Sequence, residues 1–280
     1  MELMNDLDIS IDENICLDGI CPEIKFDSEN GEMDAHVSYS FINNGSNTIK
    51  FDINDGLKIN SLKVNGEEIV YQKIKNKNVI EVSIPDVEKV NVDIFYSGSV
   101  KCDKNGVGRG MPGYISKESI YLLEASNWIF RPLIAEGDMI DISGYYIAPD
   151  YLTMVVPGRL VDVETIDGNK KWIFEYSSHT ADIGAFAAKY EKAQIEVNNV
   201  AVEFYYTPKH EEYVDNMKIV DHIKSMMEYY TQNIGEYYSK DYPLKIVEVS
   251  IYKRGGHSSE NVITFAENTI NRDNSMYSIL

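Results

Sequence analysis

A chain of 280 residues, 44% of them hydrophobic, is long enough for one or two domains at about 150 residues each and too apolar to stay disordered. Its 26 Lys and Arg against 45 Asp and Glu leave a net charge of −19. Such a surface repels phosphate backbones and anionic lipid, so neither nucleic acid nor membrane contact is expected.

No run reaches the ~18 apolar residues that suggest a bilayer span. The acidic opening Met1-Glu2-Leu3-Met4 lacks the basic-then-apolar layout of a signal peptide. The default location is cytoplasmic, with an extracytoplasmic domain of a membrane protein as the alternative.

Residues 1–30 are acidic and weakly patterned. They hold Cys16 and Cys21, which can close a small disulfide loop, form half a metal site or remain free thiols; Cys102 is the third cysteine. From Met33 the chain alternates apolar and polar residues through Ala35, Val37, Tyr39 and Phe41, the period of a half-buried strand. Further alternating runs follow at Ile49–Ile53, Leu57–Val64, Ile80–Ile84 and Val90–Tyr96. Asn65-Gly66 between two of them predicts a type I′ hairpin turn, because both residues tolerate a positive φ. Residues 101–118 read as a long loop containing Gly106, Gly108 and Gly110. Strands resume at Ile120–Leu123, Leu152–Val156, Leu160–Glu164, Lys171–Tyr176, Ala185–Tyr190, Ala193–Val197 and Val200–Tyr206. Short strands separated by turns predict an antiparallel β-sandwich over residues 31–206.

The period changes after Tyr206. Thr207-Pro208 predicts a helix start, with Glu211 and Glu212 favoured by the helix dipole in the first turn. Ile219, Ile223, Met226, Tyr230 and Ile234 recur at helical spacing as one apolar face. Gly235 and Pro243 close the helix, and Ile246, Val247, Val249 and Ile251 form the next strand. The predicted fold is therefore mainly β with a C-terminal α+β segment over residues 207–280.

No complete catalytic motif stands in the chain. His210-Glu211 begins a zinc-hydrolase helix signature, but the second histidine it needs is Val214, so a chelating pair is missing. His222 has no histidine partner one turn away, and no Gly-x-Ser-x-Gly elbow or phosphate loop is present. The segment Gly255-Gly256-His257-Ser258-Ser259-Glu260-Asn261 has paired glycines after a strand, which lets backbone approach a ligand. The strand that follows can offer an edge to an extended peptide, or the segment is an ordinary hairpin connection.

The order of these pieces resembles the membrane alanyl aminopeptidase family of gluzincins. Tyr205-Tyr206-Thr207-Pro208 before a long helix resembles that family's entry into its thermolysin-like domain. Ile234-Gly235-Glu236-Tyr237-Tyr238 and Tyr242-Pro243-Leu244-Lys245-Ile246-Val247-Glu248-Val249 are similar to its Phe-Gly-x-Tyr-Pro stretch and next strand, and Asn127-Trp128 with Arg131-Pro132 to a β-domain Trp-Pro segment. Gly255 to Glu267 lies without gaps on its Gly-Ala-Met-Glu-Asn-Trp-Gly-Leu-Ile-Thr-Tyr-Arg-Glu run. In that match the glutamate gripping the substrate's amino end falls on Ser258; a two-residue slip offers Glu260 with Asn261, and Glu124 of the β-domain is a further source of charge.

The resemblance implies the N-terminal portion of a zinc aminopeptidase-like metallopeptidase. The implied substrate-binding residues are Gly255, Gly256, His257, Ser258, Ser259, Glu260 and Glu124, and the partner is a peptide substrate or ligand. The family's zinc ligands and general base come just after this loop, about where the chain stops at Leu280. No cofactor is therefore expected in this chain, zinc is expected in the longer parent, and the chain alone is expected to be inactive. The alternatives are a non-catalytic peptidase-like binding module of a membrane assembly and a carbohydrate-binding sandwich.

Overall fold

The computed structural model describes residues 11–102, 113–135, 139–237, 241–250 and 256–267. The first eight strands are β1 (Ile15–Asp27), β2 (Glu32–Asn43), β3 (Thr48–Asp52), β4 (Leu57–Val64), β5 (Glu67–Glu68), β6 (Gln72–Lys73), β7 (Val79–Ser83) and β8 (Lys89–Gly98). Then come β9 (Gly113–Ile115), β10 (Ser119–Leu122), β11 (Arg131–Pro132), β12 (Ile140–Pro149), β13 (Thr153–Val155), β14 (Arg159–Ile166), β15 (Asn169–Ser178) and β16 (Ala185–Ala188). The last elements are β17 (Glu191–Val197), β18 (Val200–Tyr206), α1 (Glu211–Asn216), α2 (Ile219–Asn233), β19 (Leu244–Val249), β20 (Gly256–Ser259) and β21 (Val262–Ala266). The chain is mostly β, as its alternation predicts.

An eight-stranded sheet, ordered β14-β15-β12-β1-β2-β8-β4-β5, buries one face against the four-stranded sheets β13-β16-β10-β9 and β11-β3-β7-β6. The shared core includes Tyr39, Phe41, Phe51, Tyr96, Trp128 and Phe130. Asn65 and Gly66 adopt φ of 49° and 85°, the conformation read from their sequence, and join β4 to β5.

The largest changes from expectation are three. Residues 15–27, read as part of an unpatterned lead, form β1 at the centre of the large sheet. A register shift between Leu17 and Gly19 reverses the phase, so Ile15 and Leu17 point inward before it and Ile20, Ile24 and Phe26 after it. Cys16 and Cys21 therefore sit five residues apart along an extended strand, roughly 16 Å, far beyond disulfide reach. Both are free thiols. Within the segment read as a loop, Gly113–Ile115 form β9 against β10, while Gly106, Gly108 and Gly110 lie outside the described residues.

The large sheet is antiparallel except at one joint. β1 runs parallel to β12, and their ladder is registered from Gly19 with Asp141 to Lys25 with Ile147. The ladder skips Pro22, which has no N–H to donate. Gly144 lies opposite, where a Cβ would stand 2.0 Å from the Pro22 carbonyl oxygen.

The second change is at the handover. β17 and β18 bond not to the sandwich but to a five-stranded sheet, β17-β18-β19-β21-β20, in which β18, β19 and β21 run parallel. This sheet starts at Glu191, well before the residue 207 read from the change of period. The third change is the helix, which breaks in two. Lys218 takes a left-handed φ of 49° between α1 and α2. That conformation costs a side chain roughly 1 kcal/mol. Lys218→Gly is expected to raise stability by up to about 1 kcal/mol in chemical denaturation.

Ile219 and Ile223 of α2 are buried in the core beneath the five-stranded sheet. Ile234, read as part of the same stripe, is 80% exposed. Thr207 does not cap the helix; its N–H and hydroxyl donate to buried Glu248 at 2.9 and 2.7 Å. His210 Nδ1 meets the same carboxylate at 2.8 Å, a structural role.

Candidate functional site

β20 is the outer strand of the five-stranded sheet, and its neighbour β21 follows a two-residue turn, Glu260-Asn261. In such a hairpin the pair beside the turn exchanges hydrogen bonds and the next pair does not. Ser259 and His257 therefore face β21, while Gly256 and Ser258 direct their N–H and C=O outward. No strand among the described residues covers that edge.

The turn is fastened to the sandwich. Asn261 Oδ1 accepts from Gly158 N at 2.7 Å, and its Nδ2 donates to the carbonyls of Gly158 at 3.1 Å and Pro243 at 2.6 Å. Glu260 takes a φ of 47° and accepts hydrogen bonds from Ser178 and Thr180. Ser259, which is buried, donates to the Asp182 carbonyl at 3.2 Å. Two of the sequence-derived site residues, Ser259 and Glu260, thus hold the hairpin in place. Ser258 is exposed on β20, opposite Ile263. Gly255 lies outside the described residues.

Glu124 begins a short turn after β10, and its Oε1 lies 3.6 Å from Arg131 Nη1. Arg131 Nη2 is also 3.5 Å from Asp52. Trp128, fully buried, donates its indole N–H to the Ile183 carbonyl at 2.9 Å and so ties the Glu124 segment to the loop carrying Asp182. His257 Nε2 faces Asp182 Oδ2 at 3.8 Å, an ion-pair distance too long for a hydrogen bond. Burial and then the Asp182 charge push the Glu124 carboxyl up, against the pull of Arg131 and His257. Asp182 raises the His257 imidazole above its ordinary value although burial opposes it.

Glu124 and His257, which the sequence linked only through resemblance, therefore share one electrostatic environment. Asp182 completes it and carried no sequence signal, because it lies in an irregular stretch without motif or period. A cavity of about 480 Å³ opens here, lined by Leu17, Leu133, Ile134 and Ile140 together with Glu124, Arg131 and Asp182.

Among the described residues no three His, Cys, Asp or Glu side chains converge as metal ligands. Glu124, Asp182 and His257 thus do not fit a zinc centre. No helix among these residues is long and apolar enough to cross a membrane.

Neither protein-family models nor curated proteins show a match to this sequence. Solved structures do. An M1 zinc metallopeptidase from Deinococcus radiodurans superposes with a TM-score of 0.71 at 11% identity, over 96% of this chain and 64% of that one. The aminopeptidase A of Legionella pneumophila, solved with aspartic acid, gives 0.73 at 13% identity, over 92% of this chain and 31% of its own. The chain has the fold of the N-terminal region of M1 zinc metallopeptidases. It spans about two thirds of the first of these proteins and a third of the second. An E323A mutant of the Deinococcus enzyme was solved with a Tyr-Ser-Ala substrate.

Proposed function

We propose that this chain is the N-terminal portion of a zinc aminopeptidase-like metallopeptidase, of the membrane alanyl aminopeptidase kind, and supplies part of its peptide-binding cleft. The observation that carries the reading is the uncovered edge of β20, whose His257 ring lies 3.8 Å from Asp182, a residue lining the cavity at Glu124. An extended peptide can add to that edge as a further strand, with affinity from main-chain hydrogen bonds and specificity from the cavity. A neighbouring structure with a tripeptide substrate supports the same use of the fold. The change of sheet between Ala188 and Glu191 supports a boundary there, with a sandwich unit before it and the start of a peptidase lobe after it. Zinc, held by residues of the longer protein, would polarise the scissile carbonyl and activate water when bound.

Proline at an outward-facing edge position deletes a donor while leaving the inner ladder intact. Ser258→Pro is therefore expected to weaken binding of Tyr-Ser-Ala by about ten-fold, with thermal unfolding of the chain unchanged. Unaltered affinity in calorimetry would remove β20 from the cleft.

One observation favours a non-catalytic binding module instead: Ser258 carries no charge where the related glutamate would stand. Joining this chain to the codons that follow residue 280 and measuring zinc content and aminoacyl-amide cleavage separates the two readings.

A further inference from the structure

A second cavity, of about 510 Å³, opens where β9, β10 and the end of β16 meet the five-stranded sheet. It shares no lining residue with the cavity at Glu124. Thr207, Ser250 and Glu267 stand on its lining, and each directly follows the last residue of one of the parallel strands β18, β19 and β21. Sheets with parallel strands bind small ligands outside those carboxyl ends, and a volume of roughly 300–1,000 Å³ suits such ligands.

Two kinds of side chain recur on this lining, and in each kind one member is left over. Four tyrosines stand there. Tyr114, Tyr151 and Tyr190 donate their hydroxyls to the carbonyls of Ser250, Lys117 and Glu248, at 2.8, 3.1 and 2.7 Å. Tyr121 is 4% exposed, and its hydroxyl has no hydrogen-bond partner among the described residues. That oxygen is not shielded from solvent, so it is reached through the cavity the residue lines. Burial, with Tyr114 beside it, pushes the phenol up to about 12, which keeps it a neutral donor.

Three lysines stand there too. Lys117 pairs with Glu29 at 2.7 Å, and Lys209 pairs with Glu267. Lys189 has no carboxylate partner among the described residues; its Nζ lies 5.4 Å from the centre of the Tyr151 ring, which holds the ammonium at the cavity. Of the lining acids, Glu248 is taken by Thr207 and His210, Glu267 by Lys209, and Glu118 is exposed to bulk water. The groups left over are thus a buried donor and a cation at the mouth, and together they ask for an anion. The tyrosine rings, with Pro208 and Val249, ask that it carry a flat apolar body.

We propose that this cavity binds a small aromatic carboxylate, its ring among the tyrosines, with Tyr121 donating a hydrogen bond to it and Lys189 facing its charge.

Calorimetric titration of the whole chain with naphthoate, naphthylmethylamine and naphthylmethanol tests the proposal. The net charge of −19 draws the amine, not the acid, to any unspecific apolar patch, so a preference for naphthoate reports this cavity. Naphthoate is expected to bind about ten-fold more tightly than the alcohol, and the amine more weakly than either. Lys189→Met should bring naphthoate down to the level of the alcohol and leave the alcohol's affinity unchanged. Tyr121→Phe should weaken naphthoate several-fold. Because the hydroxyl it removes has no partner in the protein, thermal unfolding of that variant should not fall. Naphthoate bound no better than the amine, an affinity for naphthoate that survives in Lys189→Met, or binding of none of the three overturns the proposal. Naphthoate held as tightly by Tyr121→Phe as by the unaltered chain overturns Tyr121 as the donor. Should Tyr121→Phe unfold early, the Lys189→Met comparison, made at an exposed position, still decides.

Discussion

Between pH 7 and pH 10.5 Lys245 is expected to contribute a growing share of the fold's stability, and Lys245→Met to lose that contribution. Lys245 lies in β19 and is 2% exposed. Its Nζ donates to the carbonyls of Val156 and Gly158, both at 2.7 Å, and sits 5.2 Å from the centre of the Phe174 ring. Burial pulls its pKa from 10.5 down to about 7. A neutral amine has two N–H groups, enough for both carbonyls, so the uncharged form fits the site. Between the two values the unfolded chain holds a proton that the folded chain has released. Stability from this group therefore rises with pH, by at most about 1.4 kcal/mol per unit, and levels off beyond 10.5. Below pH 7 both states are charged and the cost of burying the charge is fully present.

Lys245→Met leaves two buried carbonyls without donors. Near pH 10 it should destabilise by roughly 3 kcal/mol. That difference should shrink towards pH 7, where the unaltered chain carries its own burial cost. Denaturant titrations of both chains across this range check the claim through the difference in slope. The comparison cancels the thiols Cys21 and Cys102 and buried tyrosines such as Tyr39 and Tyr96, whose pKa values burial raises. Parallel pH profiles would show that Lys245 does not titrate in this window.

The second large effect is expected at Gly144. An added methyl would meet the Pro22 carbonyl oxygen at 2.0 Å and the Pro22 ring at 2.7 Å. Both contacts lie on the strand pair that joins the two parts of the large sheet, so neither side can yield without breaking its ladder. Gly144→Ala is expected to cost about 3 kcal/mol or more, seen as a lower denaturant midpoint. Gly168→Ala makes a useful contrast, because nothing lies within 4 Å of its Cβ and only its positive φ of 75° is strained.

These two sites also mark where reading the sequence stops. Strands β2, β4, β7 and β8 bury every second residue over much of their length, and their alternation was plain. β1 was hidden because its bulge swaps faces in mid-strand. Lys245 stands among Leu244, Ile246 and Val247, where a charged residue suggests a wet face; the strand is in fact buried on both sides, as parallel strands tend to be. The allegiance of β17 and β18 was not legible either, since alternation reveals that a strand exists and not which strand it bonds to. At the site, Gly256, His257 and Ser258 were marked by the glycine pair and the resemblance. Asp182 was out of reach, because its role comes only from loops meeting across the fold.

The joint at β1 sets an order of assembly. Ile20 must wait for Ile142 before the large sheet can close, whereas β1, β2, β8 and β4 can pair among themselves much earlier. During synthesis the opening strand would leave the ribosome with one edge satisfied and the other bare until the chain beyond Pro149 emerges. That long-range closure makes refolding slow in comparison with a plain meander, and the waiting edge is the place where two unfinished chains would join by mistake.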